Sequence, residues 1–274
     1  MSKKTNIEQL MSLAGRMYSN GSRPYYSVTT ILNKMFPTEP FLIKWWKNNS
    51  VMVTDRTMKA KGMMGSLVHD VLDKMKKDLQ FVVEYDFIEE TIKQTMPPYY
   101  IDFYGGIDNA VETCLKYIES YIAWGESYHP SIVASEARLY HSQYDWAGTT
   151  DDVIRCNGEL MISDIKTGVQ SDKHFYQGVA YALLWNVMYP EYKLSQVAVL
   201  YLKSDFKTRP TFKFSTLDLK SAKGNAIVNE WYKMMELFRL RYANADGTYT
   251  YKPRYTPART LRLNNITQNL INNK

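Results

Sequence analysis

Hydrophobic residues recur at helical spacing through much of the first 125 residues, and prolines interrupt this pattern. The pattern predicts five helices, which cover 6–18, 39–48, 54–78, 86–96 and 106–125. Between 132 and 166, three segments instead alternate apolar and polar residues, which is typical of strands. The remaining predicted elements are helices over about 173–188 and 217–242 and strands near 195–202 and 210–216.

This order of elements predicts an α/β fold with a central mixed β-sheet flanked by helices. A chain of 274 residues suits one domain with decorations, or at most two domains. We expect 1–125 to be a mostly helical region packed on the core. We expect 126–245 to form the core itself, and 246–274 to be a basic C-terminal tail.

The basic residues are unevenly distributed in a chain whose net charge is +6. Five lysines and arginines and no acidic residue follow Asp246, and eight lysines and arginines lie between 44 and 77. A basic surface of this kind suits a polyanionic partner such as nucleic acid.

Composition excludes several other classes of protein. No apolar stretch is long enough for a transmembrane helix, and the N-terminus lacks the apolar core of a signal peptide, so we expect a cytoplasmic protein without membrane contact. The two cysteines, Cys114 and Cys156, are too few for a four-cysteine zinc or iron–sulfur site. We expect both to be buried thiols.

A two-residue turn predicts the register of one strand pair. Asn157-Gly158 is a strong signal for a type I′ hairpin. The turn pairs Cys156 with Glu159 and, counted outward, places Asp151 directly opposite Asp164, with Cβ atoms about 4.5–5.5 Å apart. Like charges at this distance repel, so the pair predicts that something positive lies between them.

Lys166 projects from the same face as Asp164, whereas Asp152 points to the other face, opposite Ser163. Two carboxylates with open positions suit Mg²⁺ or Mn²⁺, which take oxygen ligands and keep waters for a substrate phosphate. A nearby lysine can hold the attacking water or stabilise charge on that phosphate. The alternative is a surface hairpin with a salt bridge, but the neighbouring residues are apolar: Val153, Ile154, Ile162 and Ile165.

Three motifs, in this order, resemble the PD-(D/E)XK nuclease superfamily and its RecB-like branch: Gly148-x-x-Asp151, Asp164-Ile165-Lys166 and Gln177-x-x-x-Tyr181. The resemblance implies a restriction-endonuclease-like core in which the two aspartates and the Ile165 carbonyl bind a divalent metal. It also implies that Lys166 helps to activate water. Gln177 and Tyr181 share one helix face and, in such nucleases, contact DNA.

The resemblance extends upstream of these motifs. His69, after the small residues Gly65 and Ser66, matches a histidine that ligates the metal in RecB-like nucleases. Glu136 matches an acidic position that binds metal, or that orients a water or Lys166.

A segment near the N-terminus, which contains Ser27 and Thr29, is similar to the start of mitochondrial genome maintenance exonucleases and related phage exonucleases. This similarity implies DNA contacts at these two residues. It favours an exonuclease that acts on single-stranded DNA ends during replication, recombination or repair, with proteins of those processes as partners. The richness in Lys, Asn, Tyr and Ile suits an AT-rich genome such as that of a phage, in which case the protein works in the host cytoplasm.

Three other interpretations stay open. The chain could be a structure-specific endonuclease of the same fold, or a catalytically silent DNA-binding subunit. It could also be an unrelated α/β protein with a fortuitous D-x-K. The feature that discriminates the last case is whether Gln177 and Tyr181 face the two aspartates.

Overall fold

A single mixed β-sheet of eight strands is the framework of the computed structural model, which describes residues 8–12, 15–20 and 24–242. The strands are β1 (Glu8–Ser12), β2 (Gly15–Ser19), β3 (Pro24–Ser27), β4 (Ser131–Tyr140), β5 (Trp146–Cys156), β6 (Glu159–Lys166), β7 (Gln196–Leu202) and β8 (Phe212–Asp218). The helices are α1 (Val28–Met35), α2 (Pro40–Asn48), α3 (Val51–Lys77), α4 (Tyr85–Thr95), α5 (Pro98–Ile101), α6 (Ile107–Tyr128), α7 (Lys173–Met188) and α8 (Ala222–Tyr242). The basic tail predicted over 246–274 lies outside the described residues.

Strand β5 pairs with three other strands, β3, β4 and β6. β4 runs antiparallel along one edge of β5, from Ala147 to Arg155. A strand has two edges, so β3 and β6 share the other one. β3 pairs in parallel with 146–147, and β6 pairs antiparallel with 152–156. On that shared edge, the four residues 148–151 have no ladder partner within the described chain, and the sheet opens there.

The hairpin between β5 and β6 has the predicted register. Cys156 pairs with Glu159, and Asp152 pairs with Ser163. Asn157 and Gly158 both have positive φ angles, of 51° and 82°, as a type I′ turn requires. The ladder ends at the pair of Asp152 and Ser163. The two strands therefore separate just before the position at which two carboxylates would face each other.

Apolar side chains fill both faces of the sheet. α1, α7 and α8 pack on one face, where Val153 and Ile162 are buried. α3, α4 and α6 pack on the opposite face, where Ile154 and Ile165 are buried. The alternation follows from the two-residue period of a strand. None of the helices in the described ranges is long and apolar enough to span a bilayer. Both cysteines are free and buried, as predicted.

The prediction of an α/β fold with a mixed sheet is confirmed, and α7 spans the predicted residues 173–188. The helix predicted over 6–18 is wrong. This segment forms β1 and β2, which pair antiparallel from Glu8–Ser19 to Ser12–Gly15. Met17 and Tyr18 are buried in separate clusters. Their contacts with distant residues outweigh the local helical spacing.

Gly178 lies where α7 touches β7. A Cβ atom at this position would lie 2.2 Å from Cγ1 of Val197. We therefore expect Gly178→Ala to lower the free energy of unfolding by about 1–3 kcal/mol, as measured by urea denaturation. Adding Val197→Ala removes the clashing methyl groups, so the double variant should lose less than the sum of the two single variants. Additive losses would show that α7 does not rest on β7 at this point.

Candidate active site

Asp151 and Asp164 lie at the gap where β5 and β6 separate. Asp164 is only 1% exposed, and Asp151 is partly buried. Oδ2 of Asp151 accepts a hydrogen bond from the main-chain N–H of Ile165 at 2.7 Å. This bond links the two strands beyond the last ladder pair. It thereby holds Asp151 next to the D-x-K segment without a regular strand pairing.

Lys166 lies in the same gap. Its Nζ atom is 2.5 Å from Oδ2 of Asp164, so the ammonium group is paired with this buried carboxylate. Burial, together with the charge of Asp151, raises the pKa of Asp164 to about 6, although the charge of Lys166 opposes the rise. Burial lowers the pKa of Lys166, but the charges of Asp164 and Asp151 outweigh burial and leave that pKa above its usual value. Lys166 is therefore charged at neutral pH.

Helix α3 brings His69 to the gap, where its Nδ1 lies 3.7 Å from Oδ1 of Asp151. The neighbours of Glu136 on β4 pair with Asp152 and Thr150, so Glu136 lies opposite Asp151. Burial and the charge of Asp151 raise the pKa of Glu136. Glu136 also has a φ of 48°, a left-handed conformation that persists only where the surroundings hold it.

Gly65, Ser66 and His69 all lie inside α3, within the helix predicted over 54–78. A Cβ atom on Gly65 would lie 3.0 Å from Oγ1 of Thr167. The glycine therefore permits a close approach of α3 to the loop after β6, which is a packing reason and not a turn.

The donors at the gap fit a hard cation such as Mg²⁺ or Mn²⁺. They are carboxylate oxygens, the carbonyl of Ile165 and an imidazole nitrogen, which are ligand types that such a cation accepts. A charged carboxylate is costly to bury unless a cation compensates it. Within the described residues, no three His, Cys, Asp or Glu side chains are already gathered into a metal-binding cluster. The ligand set of Asp151, Asp164, Ile165, His69 and Glu136 therefore stays a prediction.

Gln177 and Tyr181 lie on α7 beside the same gap. Nε2 of Gln177 donates to the hydroxyl of Tyr181 at 3.2 Å. Burial raises the pKa of Tyr181, and the nearby charges of Asp164 and Asp151 raise it further. Tyr181 is only 3% exposed. Gln177 is partly exposed, so it is the member of the pair that can reach a ligand.

The glycine of the G-x-x-D motif has a steric reason. A Cβ atom on Gly148 would lie 2.3 Å from Cε1 of Tyr181. Only glycine leaves room for the tyrosine ring at this point of β5. The first and third motifs are therefore in direct contact.

Ser27 and Thr29 differ in their surroundings. Oγ of Ser27 accepts the N–H of Thr30 at 3.0 Å and donates to Oγ1 of Thr30, which caps the start of α1. Ser27 is 1% exposed, so its hydroxyl is not offered to DNA, and we leave it out of the proposed DNA-binding surface. Thr29 is partly exposed and remains a predicted DNA contact.

Asp152 faces away from the gap, as predicted, and pairs with Lys76 of α3. The Nζ–Oδ1 distance is 2.8 Å, and the side chains are only 6% (Lys76) and 2% (Asp152) exposed. His69, Asp73 and Lys76 lie on one face of α3, at i, i+4 and i+7. Sequence reasoning missed Asp73 and Lys76, although helical spacing from His69 would have identified both.

A cleft of about 1200 Å³ opens beside the gap. Its walls include α3 between Lys61 and Asp73, the loop 167–170 after β6 and the loop 203–205 after β7. Lys61, Lys166 and Lys203 are among the lining residues, and so are the aromatic residues Tyr104 and Tyr117. The lysines and aromatic rings suit a nucleic acid strand, whereas the four acidic residues that also line the cleft suit a cation: Asp70, Asp73, Glu136 and Asp205.

Comparison with known proteins gives one informative match. A family model described as the PD-(D/E)XK nuclease superfamily matches residues 44–257, more than three quarters of the 274 residues. No curated protein matches the chain. Seventeen chains of solved structures match. One of them, described as "Crystal structure of SSO0001", is 13% identical over 62% of this chain and 84% of that chain, with a TM-score of 0.27. A likeness at this TM-score carries no argument about the site.

Breaking the buried ion pair behind the gap should be costly. We expect Lys76→Met to lower the free energy of unfolding at pH 7 by about 3–5 kcal/mol, because Asp152 is left charged and buried. The double variant Lys76→Met/Asp152→Leu should recover most of this loss. Lys93→Met breaks the exposed pair of Lys93 and Glu89 and should cost below about 1 kcal/mol. Equal losses for Lys76→Met and Lys93→Met in urea denaturation would contradict this expectation.

Metal binding should depend on the protonation of Asp164. A protonated Asp164 cannot ligate a cation, so the affinity for Mn²⁺ should fall about tenfold per pH unit below the pKa and level off above it. Because that pKa is raised to about 6, titration calorimetry between pH 5 and 8 should show the change. The dependence should persist in His69→Gln, which removes the imidazole. An affinity that is constant from pH 5 to 7 would exclude Asp164 as a ligand.

Proposed function

This chain belongs to the PD-(D/E)XK nuclease superfamily, and from this premise we propose that it is a metal-dependent exonuclease that acts on single-stranded DNA ends. Superfamily membership implies the coarser activity, hydrolysis of phosphodiester bonds in DNA, typically with Mg²⁺ or Mn²⁺. The observation that carries the proposal is the pair of the buried Asp164 and the partly exposed Lys166 beside Asp151.

The metal would be held at the gap between β5 and β6. Asp151, Asp164 and the carbonyl of Ile165 are the proposed ligands, with His69 and Glu136 completing the set. A divalent cation bound there supplies a water of lowered pKa and neutralises charge on the scissile phosphate.

Lys166 then acts on the water and on the phosphate. Because both aspartates keep Lys166 charged, its ammonium group can donate hydrogen bonds but cannot accept a proton in this state. It therefore donates a hydrogen bond to the attacking water and so positions that water. It also stabilises the negative charge that develops on the phosphate. On the β5 side of the gap, the hydrogen bond from the N–H of Ile165 holds the carboxylate of Asp151 in position.

The cleft would guide the DNA strand to this gap. Gln177 would contact the strand from α7, Thr29 from α1, and the lysines of the cleft would follow the phosphates. Binding should therefore weaken as salt concentration rises. The similarity of the segment around Thr29 to exonucleases supports an enzyme that takes free ends, with a role in DNA replication, recombination or repair.

Two alternatives rest on the same fold. A structure-specific endonuclease would use the same gap on an internal phosphodiester bond. A silent DNA-binding subunit would have lost one of the residues that do the chemistry, whereas Asp151, Asp164 and Lys166 are all present.

Digestion of linear and circular DNA separates these activities. End-labelled linear single strands should be degraded with Mg²⁺ or Mn²⁺, while circular single strands of the same sequence stay intact. Lys166→Ala should lower the rate about 10²–10³-fold, because a charged donor at the reacting phosphate is lost. The exposed Lys93→Ala is the matched control and should keep the wild-type rate.

The other outcomes are equally clear. Equal digestion of circles would identify an endonuclease. Binding of DNA by the folded wild-type protein without any digestion would identify a silent subunit.

A further inference from the structure

An exposed surface on α2 and the first two turns of α3 has no partner within the described residues. None of the residues of α2 is buried. Seven large apolar side chains between positions 41 and 58 are exposed: Phe41, Ile43, Trp46, Val51, Met52, Val53 and Met58. We name these seven residues, with Lys44 and Lys47, the arm surface. So many exposed apolar side chains in one region usually indicate a surface that binds a partner.

The charge of the arm surface restricts what it can bind. Lys44 and Lys47 are exposed on α2, residues 40–54 contain no acidic side chain, and the one acidic residue between Phe41 and Met58, Asp55, is paired with Lys59 at 2.9 Å. Ile43, Trp46 and Lys47 lie on one helix face, at i, i+3 and i+4. An apolar ring and an ammonium group side by side suit an anionic partner with flat apolar parts.

The arm surface adjoins both walls of the candidate active site. At one end, Oγ of Ser171, just before α7, donates to Oε1 of Glu39, just before α2, at 2.6 Å. At the other end, α3 continues to Lys61, where the cleft begins, about 15 Å along the helix from Val51. The residue before α2 therefore contacts the loop before α7, the helix of Gln177. After the arm surface, α3 continues into the wall of the cleft.

We propose that the arm surface binds unpaired bases of single-stranded DNA next to the cleft, with Trp46 stacking on a base, Ile43 packing beside it and Lys44 and Lys47 near phosphates. The inference rests on the proposed function, in which the cleft takes DNA. Bases in a duplex are stacked on one another and offer no free faces, so this surface favours single strands.

Charge disfavours the rival occupants from the chain itself. The C-terminal residues after Asp246 carry five basic and no acidic side chains, so they would bring like charges to Lys44 and Lys47. A second copy of the arm would do the same. A nucleic acid strand brings negative charge, and the cleft that we propose to bind DNA lies beside the arm surface.

Binding without hydrolysis tests the proposal directly. In a chelating buffer, fluorescence anisotropy would measure the affinity of the whole chain for a labelled 20-nucleotide oligo-dT and for a 20-base-pair duplex. Ile43→Ala/Trp46→Ala should weaken oligo-dT binding by about tenfold or more and change duplex binding less than about twofold. Tyr192→Ala is the matched control, because Tyr192 is an exposed aromatic residue beyond the far end of α7, and it should bind oligo-dT as the wild type does.

A second measurement separates this proposal from the proposed function. Hydrolysis of bis(4-nitrophenyl) phosphate by the wild type with Mn²⁺ requires the metal site but no DNA strand. If the wild type hydrolyses it, yet oligo-dT binds the double variant equally well, the arm proposal alone fails. If the double variant loses oligo-dT binding, yet the wild type hydrolyses nothing, the proposed function alone fails.

Two further outcomes would assign the arm surface elsewhere and overturn the proposal. In one, the double variant binds DNA as the wild type does but no longer sediments with phosphatidylserine vesicles, which would indicate that the arm surface binds membranes. In the other, the double variant binds DNA as the wild type does, but analytical ultracentrifugation shows a dimer for the wild type and a monomer for the variant. This would indicate that the arm surface binds a second copy of the chain.

Discussion

A buried carboxylate next to a second carboxylate is the constraint on which the rest of this structure depends. Asp164 is fixed by the parallel ladder between β6 and β7, in which it pairs with Val199. β5 is fixed in turn by β4, which pairs with it as far as Ala147. Both strands are held from outside, and the separation of the strands and the positive charge of Lys166 ease the repulsion between Asp151 and Asp164. The gap in the sheet and the ammonium group of Lys166 are the two features that accommodate these carboxylates.

The helices on the two faces turn this gap into a site. On one face, the buried pair of Lys76 and Asp152 fixes α3, so that His69, two helical turns away, meets Asp151. On the other face, Tyr181 of α7 rests directly on the backbone of Gly148. The polar residues of the site are thus held by packing on both sides of the sheet. Such support lets a metal site keep its geometry when substrate arrives.

Local sequence determines some of this arrangement and distant contacts determine the rest. The Asn157-Gly158 turn fixes its own hairpin, so the proximity of Asp151, Asp164 and Lys166 could be predicted from 24 residues of sequence, 145–168. The end of the ladder at Asp152 could not, because it depends on β3 and β7. Similarly, β1 and β2 have helical spacing and become strands only because an edge of the sheet is available to them. The buried position of Ser27 likewise depends on the distant residues packed around it.

The central claim is that Asp151 and Asp164 share one divalent cation at the gap between β5 and β6. Anomalous diffraction from crystals of the wild-type protein soaked in Mn²⁺ tests it most directly. The account predicts an anomalous peak about 2.0–2.3 Å from a carboxylate oxygen of each aspartate. A well-ordered site with no peak between these carboxylates, or a single peak elsewhere in the chain, would contradict it.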